Sequence, residues 1–293
     1  MACAYDARVS DVQFKVTVPG GTLEGARGGR GDPLLVLHGG PGLSDYSAMF
    51  ADELIGWDAL RYTQRGVDPS ATVGPFTVGQ HVSDAVAVLD QHGIGTAVVL
   101  GHSWGGYLGM QLAAAAAGRV RALVLVDTLG AVGDGGFAAF AEELTARTSS
   151  QTLARLAGLD GLAIASADAA ALESLRLSWP SYFADPSVAP APPDGLRMSR
   201  ACYASTFESI SAAQATDMLP ALLAQFSGPV EIVAGGASPF PDDVAKSTGA
   251  LFRDAQVSVI DDAGHFPWVE RPGCVAAALR RIAARLAACD RSS

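Results

Sequence analysis

The pentapeptide Gly101-His102-Ser103-Trp104-Gly105 constrains this chain more than any other stretch, because it follows directly on the apolar run Ala97-Val98-Val99-Leu100. A tight turn from strand to helix at this point stands the Ser103 hydroxyl at the C-terminal edge of a sheet. Side chains flanking such a turn collide across it, and Gly101 and Gly105 remove them, with Gly106 adding clearance. The stretch from Trp104 to Ala117 then carries Leu108, Met110 and Leu112 followed by an alanine run of high helix propensity. Strand, turn and helix occur in the order that a serine nucleophile requires.

A serine hydroxyl attacks poorly until a base takes its proton, so the motif calls for a histidine. The chain has five. His38 and His102 lie inside glycine motifs, and His81 and His92 fall with a helical stretch from Thr77 to Gln91. His265 remains. It follows the strand Val257-Ser258-Val259-Ile260 and the turn Asp261-Asp262-Ala263-Gly264, which predicts a loop position just past a strand end, where a base can meet Ser103.

Acyl chemistry at a serine also needs donors for an oxyanion. His38-Gly39-Gly40-Pro41-Gly42 follows the apolar strand Leu34-Leu35-Val36-Leu37, so the turn can aim the Gly40 amide at a reacting carbonyl while the Trp104 amide supplies the second donor. His38 and Gly39 are candidates for substrate contact in the same loop. A dinucleotide-binding loop needs G-x-G-x-x-G opening a helix, and Pro41 and the spacing do not match it.

Together with Gln64-Arg65-Gly66 after a fourth strand and Gly264-His265-Phe266, these motifs resemble those of α/β-hydrolase-fold serine hydrolases, nearest to the proline iminopeptidase-like branch. The resemblance implies an α/β architecture with a mostly parallel central sheet, flanking helices and an inserted helical cap. Such proteins carry the acid after the seventh strand as glycine, two residues, aspartate, proline. Here that stretch reads Gly235-Gly236-Ala237-Ser238-Pro239, and Ser238 cannot supply a negative charge to orient an imidazole. Asp127, ending the strand Leu123-Val124-Leu125-Val126, is the expected replacement, because the sheet places it on the same edge as Ser103 and His265. Asp242 is the alternative acid, with Asp243 beside it, although aspartates in a first helical turn commonly cap it. Asp261 and Asp262 read as loop residues, and a dyad with no acid is the remaining option.

At 293 residues and 49% hydrophobic content the chain can bury a substantial core. Apolar runs alternating with helical stretches predict a core domain over residues 1–129 and 226–293. Residues 130–225, with helical segments Phe137 to Arg147 and Ala169 to Leu177, are the expected cap. Trp179, Tyr182, Phe183 and Tyr203, with Phe207, provide aromatic area for a mostly apolar substrate cleft. Proline iminopeptidases hold the substrate's α-amino group with cap glutamates. The segment Leu177-Ser178-Trp179-Pro180-Ser181-Tyr182-Phe183 has none, and Glu173 and Glu208 read as solvated helix residues.

The expected activity is hydrolysis of a small carboxylic ester, lactone or amide through an acyl-enzyme on Ser103. N-terminal proline removal is the alternative, and a small-molecule receptor or non-hydrolytic biosynthetic enzyme is the alternative from another class. A net charge of −10 disfavours nucleic acid and anionic membranes as partners, leaving a small-molecule substrate. Cys3, Cys202, Cys274 and Cys289 fit neither a metal spacing nor a disulfide framework, so no metal and no cofactor is expected. The start Met1-Ala2-Cys3-Ala4-Tyr5-Asp6 lacks signal-peptide character, and no run has the length of a membrane span, which predicts a cytoplasmic protein.

Overall fold

Residues of the apolar runs alternate in direction: Leu35 and Leu37 are buried in one hydrophobic cluster and Leu34 and Val36 in another. A strand with both faces covered by helices has this property, which is why its sequence reads as an unbroken apolar run. The computed structural model describes residues 11–159 and 167–291. The N-terminal segment with Cys3 lies outside them.

Among the described residues, eight strands form one sheet: β1 (Val12–Val18), β2 (Gly21–Gly29), β3 (Asp32–Leu37), β4 (Trp57–Tyr62), β5 (Ala97–His102), β6 (Val120–Val126), β7 (Val230–Gly235) and β8 (Ala255–Ile260). Their order is β1-β2-β4-β3-β5-β6-β7-β8. The β1/β2 hairpin and the β2/β4 pairing are antiparallel and every other pairing is parallel. Helices α1 (Val78–Gln91) and α2 (Trp104–Ala115) cover one face, and α10 (Cys274–Asp290) packs Val275, Ala278, Leu279, Ile282 and Leu286 on the other. The single charge within β7, Glu231, is fully buried and met from α10 by Arg281 Nε at 2.7 Å and Arg285 Nη1 at 2.8 Å.

Between β6 and β7 the chain inserts α3 (Phe137–Arg147), α4 (Ser150–Leu159), α5 (Ala167–Ser178), α6 (Arg200–Ala215) and α7 (Leu219–Leu223). The bounds of α3 are those expected from sequence, whereas α4, α6 and α7 carried no recognised signal. α4 buries nothing, and α6 buries only Cys202, Thr206 and Ile210, a stripe too narrow and too polar to stand out as a period. The insertion is tied down where the loop after β3 meets the segment before α6. Ser199 N–H donates to the Gly42 carbonyl at 2.8 Å, and Ser44 N–H donates to the Arg197 carbonyl at 3.0 Å. After β7 come α8 (Asp242–Gly249) and, past β8, the short α9 (Pro267–Glu270). Among the described residues no helix is long and apolar enough to cross a membrane.

Candidate active site

β5 ends at His102 and α2 begins at Trp104, leaving Ser103 alone on the turn at φ +55° and ψ −122°. An L residue there costs about 1–3 kcal/mol and persists only when its surroundings enforce it. Ser103 N–H donates to Val126 O on β6 at 3.0 Å, while its carbonyl accepts from Gly106 N at 3.0 Å and Leu129 N at 3.2 Å. A Cβ on Gly101 would stand 2.2 Å from Gly105 O, and one on Gly105 would stand 2.1 Å from Leu37 O. The turn is therefore closed to any residue but glycine at both positions.

His265 lies past β8, and its Nδ1 is 2.5 Å from Asp127 Oδ2. Both side chains are buried. A carboxylate oxygen only accepts, so Nδ1 carries the hydrogen of this bond, and Nε2 is the ring nitrogen left to exchange a proton. Asp127 follows β6 at φ +40° and is held on both oxygens. Oδ1 accepts from Gly235 N at 2.9 Å, and Oδ2 accepts from Ser238 Oγ at 2.5 Å. Asp242 is elsewhere, at the start of α8, where it pairs with Lys246 at 2.5 Å. Asp243 occupies the same helical turn, and Asp261 and Asp262 are exposed.

Gly40, Pro41, Ser103, Trp104 and His265 line one cavity of about 460 Å³. Trp104 is the first residue of α2, so its amide has no acceptor within the helix. His38 is fully buried beneath the loop rather than in the cavity. Its Nδ1 donates to Gly39 O at 2.7 Å and its Nε2 accepts from Gln64 N–H at 3.1 Å. Burial holds this imidazole below its ordinary pKa and hence neutral. Gln64 completes the brace, donating Nε2 to His38 O at 2.8 Å and accepting from the Trp104 indole at 2.7 Å.

Trp179, Tyr182, Tyr203 and Phe207 line the cavity, joined by Phe137 and Phe140 from α3 and by Phe240. Phe137 and Phe140 stand three apart on one helix face, a spacing that could have identified them. Of the residues read from sequence as substrate contacts, His38, Gly39 and Phe183 do not reach the lining. His38 and Gly39 are occupied in the packing of their own loop, and Phe183 stacks on Phe266 with ring centroids 5.4 Å apart. Glu173 pairs with Arg155 at 3.3 Å and Glu208 is exposed, both outside the cavity. Among the described residues no carboxylate lines it, and Arg200 at the start of α6 is part of the lining.

Cys202, tucked under Gly66, has its thiol pushed up to about 11 by burial and is no nucleophile. Among the described residues no three His, Cys, Asp or Glu side chains gather closely enough to hold a metal ion. A hydroxyl at the sheet edge, an imidazole oriented by a buried carboxylate, and the helix-start amide of Trp104 around one apolar cavity can perform acyl transfer.

Comparison with known proteins agrees with this architecture. A family model described as alpha/beta hydrolase fold matches residues 32–272. Lipase LipV of Mycobacterium tuberculosis is 48% identical over 58 residues, 20% of this chain and 22% of that protein. Polyketide synthase ThaQ of Burkholderia thailandensis is 31% identical over 266 residues, which is 85% of this chain and 12% of the synthase. The chain thus spans a minor part of the curated relatives it matches. The crystal structure of a proline iminopeptidase from Mycobacterium smegmatis superposes with a TM-score of 0.66 at 19% identity, covering 95% of this chain and 100% of that one, a likeness of fold.

Proposed function

We propose that this chain, which belongs to the α/β hydrolase fold family and is a hydrolase in kind, is a serine hydrolase that forms an acyl-enzyme on Ser103. The observation that carries the reading is the His265 to Asp127 hydrogen bond of 2.5 Å, buried beside a cavity that Ser103 also lines. In this reading Ser103 Oγ attacks the substrate carbonyl carbon as its proton passes to His265 Nε2. The amides of Trp104 and Gly40 hold the resulting oxyanion. Collapse breaks the bond to the leaving alcohol or amine, which takes the proton from His265. Water, deprotonated by the same nitrogen, then releases the acid and regenerates Ser103.

Asp127 keeps Nδ1 protonated and stabilises the imidazolium that each transfer creates. The helices between β6 and β7, within residues 130–225, act as a cap whose aromatic side chains select the acyl group. Volume and lining favour a small, mostly apolar ester, lactone or amide. A free α-amino group is disfavoured, because among the described residues no carboxylate lines the cavity while Arg200 does. Mass spectrometry after treatment with a fluorophosphonate tests the reading: an adduct on Ser103 is expected in the wild type and absent from Ser103→Ala. Labelling at another residue, or none, overturns it.

A further inference from the structure

The mechanism above makes no use of His102, the residue immediately before the nucleophile. His102 is fully buried, yet both ring nitrogens are bonded to loops that arrive from opposite ends of the chain. Nε2 lies 2.8 Å from the backbone carbonyl of His265, and Nδ1 lies 2.6 Å from the Tyr46 hydroxyl. That hydroxyl also accepts from Gly39 N–H at 2.8 Å. We propose that Tyr46 and His102 are positioning residues which tie the oxyanion loop at Gly39-Gly40 to the loop that carries His265, so that donor and base keep one geometry about Ser103.

The donor and acceptor roles in this chain follow from chemistry alone. A carbonyl cannot donate, so Nε2 of His102 carries the hydrogen. Burial holds the ring far below its ordinary pKa, with the neighbouring His265 acting in the same direction, so Nδ1 is bare and must accept. Only the Tyr46 hydroxyl is there to donate, and burial raises its pKa, keeping the phenol protonated. The Gly39 amide then fills the remaining lone pair of the hydroxyl oxygen. Donation runs from Gly39 N–H to Tyr46, from Tyr46 to His102, and from His102 to His265, with every member satisfied.

Packing leaves this chain no slack. Tyr46, Phe266 and Trp268 surround the His102 ring with centroids 5.8, 5.0 and 4.7 Å away. A Cβ on Gly39 would lie 2.2 Å from the Tyr46 hydroxyl and 3.1 Å from Ser103 Cβ, so the oxyanion loop passes within contact of the nucleophile where Tyr46 holds it. On its other side the His265 backbone is fixed as well, its N–H donating to Tyr182 O at 2.7 Å. Loss of the His102 bond frees the carbonyl side and lets the base rotate away from Ser103, without touching a substrate-binding group.

This proposal rests on the serine hydrolase reading, and the experiment separates the two. Steady-state hydrolysis of p-nitrophenyl butyrate is compared for wild type, His102→Leu, His102→Gln and Tyr46→Phe. His102→Leu should lower kcat about tenfold to a hundredfold with KM unchanged, and Tyr46→Phe, whose ring also lines the cavity, should lower kcat to a similar extent, since small displacements of a catalytic group have effects of that size. A glutamine amide reaches the place of Nε2, so His102→Gln should recover most of the loss. The Tyr46→Phe/His102→Leu pair should be no worse than the worse single variant. Equal losses in His102→Leu and His102→Gln, or a change confined to KM, overturn the proposal.

Nitrogen NMR of the wild-type ring keeps the question open to refutation if the variants do not fold. His102 is expected as the neutral Nε2–H form at neutral pH and above. An Nδ1–H form, or an imidazolium, overturns the relay. If fluorophosphonate fails to label wild-type Ser103, the hydrolase reading falls and the NMR result alone decides the relay.

Discussion

Ser238 donates its hydroxyl to the Asp127 carboxylate across 2.5 Å, on the same oxygen that faces His265 Nδ1. The serine stands where the sequence motif predicts an acid, and it donates to a carboxylate that comes from the end of a different strand. Asp127→Asn should lower kcat about ten-thousandfold, because an amide favours the wrong imidazole tautomer. Asp242→Asn should stay within twofold of wild type. Ser238→Ala, which deletes one of three hydrogen bonds to Asp127, should cost about tenfold. The exchange Asp127→Ser/Ser238→Asp should recover activity relative to Asp127→Ser alone. Ester hydrolysis rates for the set decide the matter, and a fully active Asp127→Asn sinks the assignment.

Proline p-nitroanilide and p-nitrophenyl butyrate distinguish aminopeptidase from esterase chemistry. Among the described residues the cavity lining includes Arg200 and no carboxylate, so nothing there offers an ammonium substrate an attractive partner. The ester should turn over at least a hundredfold faster in kcat/KM, and Ser103→Ala should abolish it. Preferential cleavage of the anilide would refute the substrate class.

Acid should destabilise the fold before it titrates most carboxylates. His81 is buried against the Trp104 indole, with ring centroids 5.5 Å apart, and desolvation lowers its pKa to about 3. Its unfolded value is about 6.5, so between the two the unfolded chain binds a proton that the folded chain does not. Stability from this group is thus complete above pH about 6.5 and falls as pH drops toward 3, by about 1.4 kcal/mol per pH unit. His38 and His102 are lowered as well and act with the same sign. Urea midpoints at pH 7.5, 6 and 5 should show the loss, and His81→Gln should flatten it by about one proton. An unchanged slope in that variant would sink the idea.

Arg65 and Asp84 form a two-point ion pair with both side chains buried, Nε to Oδ2 at 2.8 Å and Nη2 to Oδ1 at 2.7 Å. Asp84→Ala strands the guanidinium and should cost about 3–5 kcal/mol in urea unfolding, whereas a paired Arg65→Met/Asp84→Leu replacement should regain much of it. A cost below about 1 kcal/mol for Asp84→Ala would show that solvent reaches the site.

The turn at Ser103 was legible because its requirements are local: a strand, two glycines and a helix within a few residues of one another. Asp127 was legible for a related reason, since a parallel sheet brings successive strand ends to one edge. What sequence pattern did not disclose depends on distant pairing. Nothing in the order of residues joins Gln64 to Trp104 or Ser238 to Asp127, yet each pair shares a hydrogen bond. His38 was read as a substrate contact because its loop faces the site, and the same loop buries the ring against Gln64. The insertion was the least legible part. Its α4 buries nothing although Leu153, Leu156 and Leu159 recur every third residue, and α6 sets its three buried residues among polar ones, so neither stands out as a core helix.

The bond from His265 N–H to Tyr182 O has an engineering consequence. Glu270 reinforces it, accepting from Gly264 N at 2.6 Å and from Ala184 N at 2.9 Å, so the strip around residues 182–184 is welded to the loop that carries the histidine. A graft that swaps the inserted helices of another homologue into this scaffold must therefore cut outside that strip. A chimaera joined within it would inherit a new specificity surface and a misplaced imidazole together.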